Sequence, residues 1–127
     1  MKRLIAAAVL LATPAFAADP AEGMWRTQAD DNGNYGVVRI YDCDGMVCGQ
    51  LVKGFDGAGQ EVVSENIGKR ILWDMTSAGG GAYKGGKIFS PDRGKTYNSK
   101  MTLAGDVLKV SGCVFGLCRE QTWTRAN

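Results

Sequence analysis

The sequence predicts an all-β protein, a small antiparallel up-and-down barrel of about eight or nine strands. Apolar and polar side chains alternate, as around Val38 and Ile40, and a period of two indicates strands with one buried face. Turn signals such as Asn32-Gly33 recur at short spacing, which is typical of hairpins in a sandwich or barrel. Closure into a barrel would also remove exposed strand edges.

The N-terminus has the features of a secretory signal peptide. Lys2 and Arg3 precede an apolar run over residues 4–12, and Ala15-Phe16-Ala17 forms an A-x-A cleavage signal. The apolar run is shorter than the roughly 20 residues that a transmembrane helix needs. We therefore expect removal of residues 1–17, no transmembrane anchor afterwards, and one domain over 18–127, located in the periplasm or secreted.

The charge balance gives no sign of a nucleic-acid partner. Lys2 and Arg3 account for the formal charge of +2, so residues 18–127 are formally neutral. A protein that binds a phosphate backbone normally presents a basic face. We expect no nucleic-acid binding.

The alternation and the turn residues predict nine strands after a short leader at residues 18–22. The stretch 54–70 is the least regular and fits either a weak strand or a helical turn. Eighteen glycines permit the bends and bulges that a small barrel needs at its corners. The predicted strands span residues 23–30, 35–43, 47–54, 60–65, 70–76, 82–90, 95–103, 106–113 and 117–125.

The four cysteines follow a C-x4-C spacing twice. An even number of cysteines in a small exported domain indicates disulfides. Of the three possible pairings we favour Cys43–Cys48 and Cys113–Cys118, each closing a short turn and contributing about 2 kcal/mol. A zinc site or a redox pair is the alternative, but the chain has no His and no C-x-x-C motif.

Few residues have a catalytic pattern. The absence of His excludes Ser–His and Cys–His nucleophiles in their usual form. Asp30-Asp31 and the pair Asp42 and Asp44 lie at turns, where Asp bonds to nearby backbone amides. Residues 81–87 fit part of a phosphate-loop pattern, but Ile88 stands where Ser or Thr is required. We predict no enzyme activity, no metal and no cofactor.

Tryptophans lie in the first and last predicted strands, which meet when a barrel closes. We expect Trp25 and Trp123 to close one end of the barrel. Arg119 or Arg125 is expected to stack on Trp25 and to contribute about 1 kcal/mol through a cation–π contact.

The function that these features predict is the binding of a small hydrophobic or amphipathic, lipid-like molecule inside the barrel. A barrel of eight strands can hold one small ligand or be filled by its own side chains. The predicted ligand contacts are Ile40, Trp73, Phe89, Tyr97, Met101 and Leu108, and further inward positions are Val38, Leu51, Ile88 and Val110.

The alternative function is that of an interaction module of the cell envelope with a filled barrel. Such a module would expose an apolar patch around Phe55 or Phe115. Phe115 lies between two cysteines in a predicted turn whose geometry does not require an aromatic residue. The same residue would equally serve to cap the barrel end.

Several motifs together resemble a known family. They are Gly23-Met24-Trp25-Arg26-Thr27, Cys48-Gly49, the segment Gly-Gly-Lys-Ile-Phe-Ser-Pro-Asp-Arg-Gly-Lys-Thr-Tyr over 85–97, the run over 108–113, and Gln121-Thr122-Trp123-Thr124-Arg125. In this order they resemble domain-of-unknown-function family 2147, small exported proteins of Gram-negative bacteria, with Ser90 where many members carry Asp. The resemblance implies a lipocalin-like barrel, in which an Arg covers the Trp of a Gly-x-Trp opening, and it implies no established activity.

Overall fold

Residues 18–126 are described by the computed structural model and form a closed barrel of antiparallel strands. The predicted all-β barrel is confirmed, whereas the predicted signal peptide at 1–17 lies outside the described residues. No helix within residues 18–126 is long and apolar enough to cross a membrane. The strands are β1 (Gly23–Arg26), β2 (Tyr35–Cys43), β3 (Met46–Phe55), β4 (Glu61–Val62), β5 (Arg70–Gly79), β6 (Ala82–Ser90), β7 (Lys95–Ala104), β8 (Val107–Val114) and β9 (Leu117–Arg125).

Eight of these strands form the ring, and β4 is an addition that pairs with β3. Strands that follow one another along the ring are antiparallel, and β1 closes it by pairing with both β2 and β9. The joint between β1 and β9 is short, because it consists of Trp25 opposite Arg125 and Arg26 opposite Thr124. This joint therefore has the fewest paired residues of any two neighbouring strands in the ring.

The first strand is shorter than predicted, since β1 ends at Arg26 rather than at residue 30. Beyond it the chain stays beside β2, where the Thr27 amide donates to the Gly36 carbonyl at 2.9 Å. The Asp30 carboxylate then accepts the Asn32 and Asn34 amides, both at 2.9 Å, and this turn replaces strand pairing. The chain after β1 therefore separates from β9.

The two ends of the barrel differ. The closed end carries the tight turns after β2, β5 and β7, and the open end carries the connections 27–34, 56–69, 91–94 and 115–116. Disulfides join Cys43 to Cys48 at the closed end and Cys113 to Cys118 at the open end, which is the favoured pairing. Each cross-link thus holds one hairpin at a different end of the barrel.

The hydrophobic core fills the closed half. Trp25, Leu72 and Leu108 are completely buried there. The Met75 side chain packs directly on the backbone of Gly86, where a Cβ would lie 2.5 Å from the Met75 sulfur. The space that a side chain would need at such a glycine is already occupied by the core.

Residues 18–22, predicted as a leader, form part of the fold. The Tyr83 hydroxyl donates to the Asp19 carboxylate, which also accepts the Ala21 amide at 2.8 Å. Ala21 is completely buried, and its carbonyl accepts the Trp25 indole N–H at 2.8 Å. This N-terminal segment, Asp19–Glu22, therefore forms the floor of the barrel.

Candidate functional site

The open half of the barrel holds a cavity of about 1080 Å³. That volume slightly exceeds the roughly 300–1,000 Å³ that is common for small-molecule sites. The apolar side chains in its wall come from six strands of the ring, β3 and β5 to β9. They include Leu51, Ile71, Ile88, Tyr97, Val110 and Trp123. The filled closed half therefore forms an apolar base beneath an open chamber.

Two of the six predicted ligand contacts line this cavity. Phe89 and Tyr97 are half-buried in its wall, and the Lys69 ammonium lies 5.9 Å from the centroid of the Phe89 ring. Both aromatic rings therefore combine an apolar face with access to solvent. Their role in binding stays a prediction.

Three other predicted contacts lie in the closed half instead. Ile40, Met101 and Leu108 are almost completely buried within the hydrophobic core, and none of them is among the residues that line the cavity. The alternation of side chains correctly predicts that they face inward, but it carries no information about which half of the barrel is filled.

The prediction that Trp73 faces inward is wrong. Trp73 lies opposite Lys87, which in turn lies opposite Asn98, and Lys87 donates to the Asn98 side chain on the outer face. Two register shifts of β5 against β3 place Leu72 and Met75, three positions apart, in the core. Because the spacing is three rather than two, Trp73 falls on the outside of the wall.

β9 contributes a polar row to the inside of the cavity. Its register places Trp123 opposite Leu108, Gln121 opposite Val110, and Arg119 opposite Gly112. Leu108 and Val110 are buried inward-facing residues, so their partners on β9 face inward as well. The row therefore changes from the buried Trp123 at the base to the exposed Arg119 near the open end.

Arg119 is a cavity residue rather than part of the closure. The structure places Arg125 over Trp25, with the guanidinium carbon 4.3 Å from the ring centroid, whereas Arg119 lies at the other end of β9 and lines the cavity. The signal available in the sequence was the period-two spacing of Arg119, Gln121 and Trp123, which predicts a shared face. Trp123, which was predicted to close one end of the barrel, is buried on that inner face.

The carboxylates that line the cavity are mostly bound to the turns that carry them. Asp30 accepts two backbone amides, Asp56 accepts the amides of Ala58 and Gln60 at 2.9 Å, and Asp92 accepts the Ser90 hydroxyl at 2.6 Å. Asp side chains commonly form such local hydrogen bonds in turns. The acidic side chains at the open end therefore stabilise loop structure.

Exposed apolar side chains surround the same opening. Among residues 18–126, the large hydrophobic residues that are exposed belong to the connection that contains β4 or to the turn between β8 and β9. They are Val62, Val63, Val114, Phe115 and Leu117. Of the two residues predicted for an exposed patch, Phe115 is fully exposed, whereas Phe55 stacks on Tyr35 with ring centroids 5.0 Å apart.

Comparison with known proteins agrees with this architecture. Residues 23–125 match the family described as uncharacterized protein conserved in bacteria, DUF2147. Among solved structures, this chain is similar to protein HP1028 from the human pathogen Helicobacter pylori, which is described as belonging to the lipocalin family. The TM-score is 0.66 at 20% identity, over 84% of this chain and 82% of that one.

No curated protein matches this sequence. The likeness to HP1028 shows a lipocalin-like fold, and the family match spans all nine strands. This chain belongs to the DUF2147 family.

Proposed function

We propose that this chain is an exported binding protein that holds one small hydrophobic or amphipathic molecule in the open half of its barrel. The observation that carries the proposal is the cavity of about 1080 Å³ above an apolar base. A ligand that buries about 200 Å² of apolar surface there would gain about 5 kcal/mol. The proposal assigns no catalytic step to the protein.

Export is supported by two independent features. The order of Lys2 and Arg3, an apolar run and Ala15-Phe16-Ala17 fits a cleaved signal. The two disulfides fit an oxidising compartment outside the cytoplasm. Cleavage after Ala17 would keep the complete floor segment, Asp19–Glu22, in the mature protein.

The binding proposal is tested with N-phenyl-1-naphthylamine, an uncharged fluorescent probe of apolar sites. We expect saturable binding of one probe per protein. Gly112 faces the cavity, and a Cβ there would lie 3.6 Å from the nearest atoms of Ile88 and Tyr97. Gly112→Leu should therefore fold, project into the chamber and weaken binding at least fivefold.

The matched control is Thr102→Leu, which adds the same side chain at an exposed position on the outer face of β7. This control should bind the probe as the native protein does. The absence of saturable binding, or equal affinities for the native and Gly112→Leu proteins, would contradict the proposal.

A second candidate function is that of an envelope interaction module, and the apolar residues around the opening favour it. Phe115 is fully exposed, and its backbone has a positive φ of 50°. A bulky residue in that conformation is strained, and such strain is concentrated at functional sites. Affinity capture from envelope extract should then recover a partner with the native chain that is lost with Phe115→Ala. Recovery of the same proteins by both would count against this function.

A further inference from the structure

We infer that the ligand of the cavity is an anionic amphiphile whose charged head group is bound by Arg119. This inference rests on the proposed binding function and adds a ligand class to it. It depends on where Arg119 lies, on what its neighbours are bonded to, and on the chemistry of a guanidinium group.

Arg119 lies where a charged head group would meet the cavity wall. Arg119 is the charged residue on an inward-facing strand position of the cavity wall, opposite Gly112. It lies four residues from the buried Trp123 on the same face of β9, which corresponds to about 14 Å along the strand. An apolar tail that reached the base would therefore place its head group beside Arg119.

No carboxylate within residues 18–126 is paired with Arg119. The ion pairs in that range are Lys109 with Glu120 and Arg125 with Asp106, both at 3.5 Å. Glu120, the neighbour of Arg119, is thus directed to the outer face. The described part of the chain gives the Arg119 guanidinium neither a carboxylate nor a hydrogen-bond acceptor, so its donors are available to a ligand.

Several carboxylates also border the cavity. Asp30, Asp56 and Asp92 lie on loops and are bonded as described above. Asp31 and Arg93 are likewise loop residues at the entrance. Glu120 lies on β9 and is paired with Lys109. Arg119, by contrast, lies on the inward-facing row of β9 that leads to the apolar base of the cavity.

The guanidinium of Arg119 carries a fork of N–H donors that matches the two oxygens of a carboxylate or the oxygens of a phosphate or sulfate. Gln121, one step deeper on the same face, has its side-chain oxygen bonded to the Trp123 indole N–H at 3.0 Å. With that oxygen occupied, the Gln121 amide nitrogen carries two N–H donors, and an anionic head group can accept such hydrogen bonds whereas a quaternary ammonium group cannot.

The test compares three C12 compounds that differ in head-group charge: dodecanoate, dodecanol and dodecyltrimethylammonium. Each compound is titrated into the native mature protein with bound N-phenyl-1-naphthylamine, and its affinity is measured from the displacement of this probe. The titrations are made at pH 8, where the carboxylate of dodecanoate is ionised. We expect dodecanoate to bind about three- to tenfold more tightly than dodecanol, a range between an exposed ion pair and a hydrogen bond to a charged group. Dodecyltrimethylammonium should bind more weakly than both.

Arg119→Gln should abolish the preference for dodecanoate while leaving the dodecanol affinity unchanged, and Arg119→Lys should retain part of it. The control variant is Lys100→Gln, which removes a positive charge from the exposed outer face of β7 and should change neither affinity. Circular dichroism and thermal unfolding establish that all variants are folded.

Different results would contradict the anionic ligand class and the binding function. Equal affinities for the three compounds, tighter binding of the cationic compound, or an unaltered preference in Arg119→Gln would overturn the ligand class and leave a general apolar site. Failure of the probe and of all three compounds to bind would overturn the binding function, and with it the role of Arg119.

Discussion

The guanidinium of Arg125 covers the Trp25 ring at 4.3 Å and ties the last strand to the floor of the barrel. Its Nη1 donates to the Glu22 carbonyl at 2.8 Å and its Nη2 to the Pro20 carbonyl at 2.6 Å. Trp25 itself donates to the carbonyl of Ala21, within the same segment. One side chain near the C-terminus therefore secures the N-terminal floor and the short joint between β1 and β9.

Replacing Arg125 by Gln should destabilise the protein by about 2–3 kcal/mol, because it removes a cation–π contact and two charge-assisted hydrogen bonds. Urea unfolding measures this as a lower midpoint with an unchanged slope. The matched control is Arg39→Gln: Arg39 stacks on Tyr41 at 4.5 Å but is exposed on the outer wall. Equal losses of stability in both variants would show that Arg125 has no special role.

Alkaline pH should lower the stability of the folded protein through Tyr83, which donates a hydrogen bond to Asp19 in the floor segment. Burial raises the pKa of the Tyr83 phenol above its usual value of 10, and the Asp19 carboxylate raises it further. Above pH 10 the unfolded chain releases this proton while the folded protein retains it, so the unfolded state binds fewer protons and stability falls as pH rises. Below pH 10 this contribution is constant.

Chemical denaturation between pH 9 and pH 11.5 measures that decline. Tyr83→Phe should be less stable than the native protein at pH 8, because the Asp19 carboxylate loses a donor. Its stability should also fall less steeply above pH 10. Parallel pH curves for the two proteins would contradict the assignment.

Removal of either disulfide should lower stability, but only one of the two removals should weaken binding of the probe. Each links cysteines five positions apart, so removing either, as Cys43→Ser with Cys48→Ser or as Cys113→Ser with Cys118→Ser, should cost about 2 kcal/mol of stability. Only the pair at the open end holds the hairpin that lines the cavity. The variant without Cys113–Cys118 should therefore lose affinity for N-phenyl-1-naphthylamine, while the variant without Cys43–Cys48 should bind this probe as the native protein does.

Gln28 should protect the gap beside β9 from opening. Its side-chain oxygen accepts the Thr122 amide at 2.9 Å, at a point where β9 has no strand partner on that side. In Gln28→Ala, hydrogen exchange at the Thr122 amide should become at least tenfold faster. The amide of Arg125, which donates to the Asp106 carbonyl, serves as the internal control and should exchange at an unchanged rate.

Local sequence patterns predicted much of the fold because strand alternation and turn chemistry depend on neighbouring residues. Asp and Gly at turns located most hairpins, and the C-x4-C spacing located both disulfides. The prediction for Trp73 was wrong because the register shifts of β5 arise from its pairing with β3. Pairing across the sheet is a property of two distant segments, so it leaves no local signal.

The candidate site could also be predicted only in part from local sequence patterns. Alternation identified Tyr97 and Ile88 as inward-facing, and both line the cavity. The same alternation treated Met101 and Leu108 as equivalent to them, although these residues lie in the packed closed half. Burial at one end of a barrel depends on what covers that end, here the segment Asp19–Glu22.

The sequence by itself determined that the chain alternates into antiparallel strands and that its cysteines pair locally, since each depends on spacing within a few residues. Tertiary structure alone decided that Arg125 rather than Arg119 covers Trp25 and that Arg119 faces an open chamber. Both outcomes follow from how the ring closes: β1 is too short to accompany β9 along its length, so one end of β9 meets the floor and the other borders a cavity.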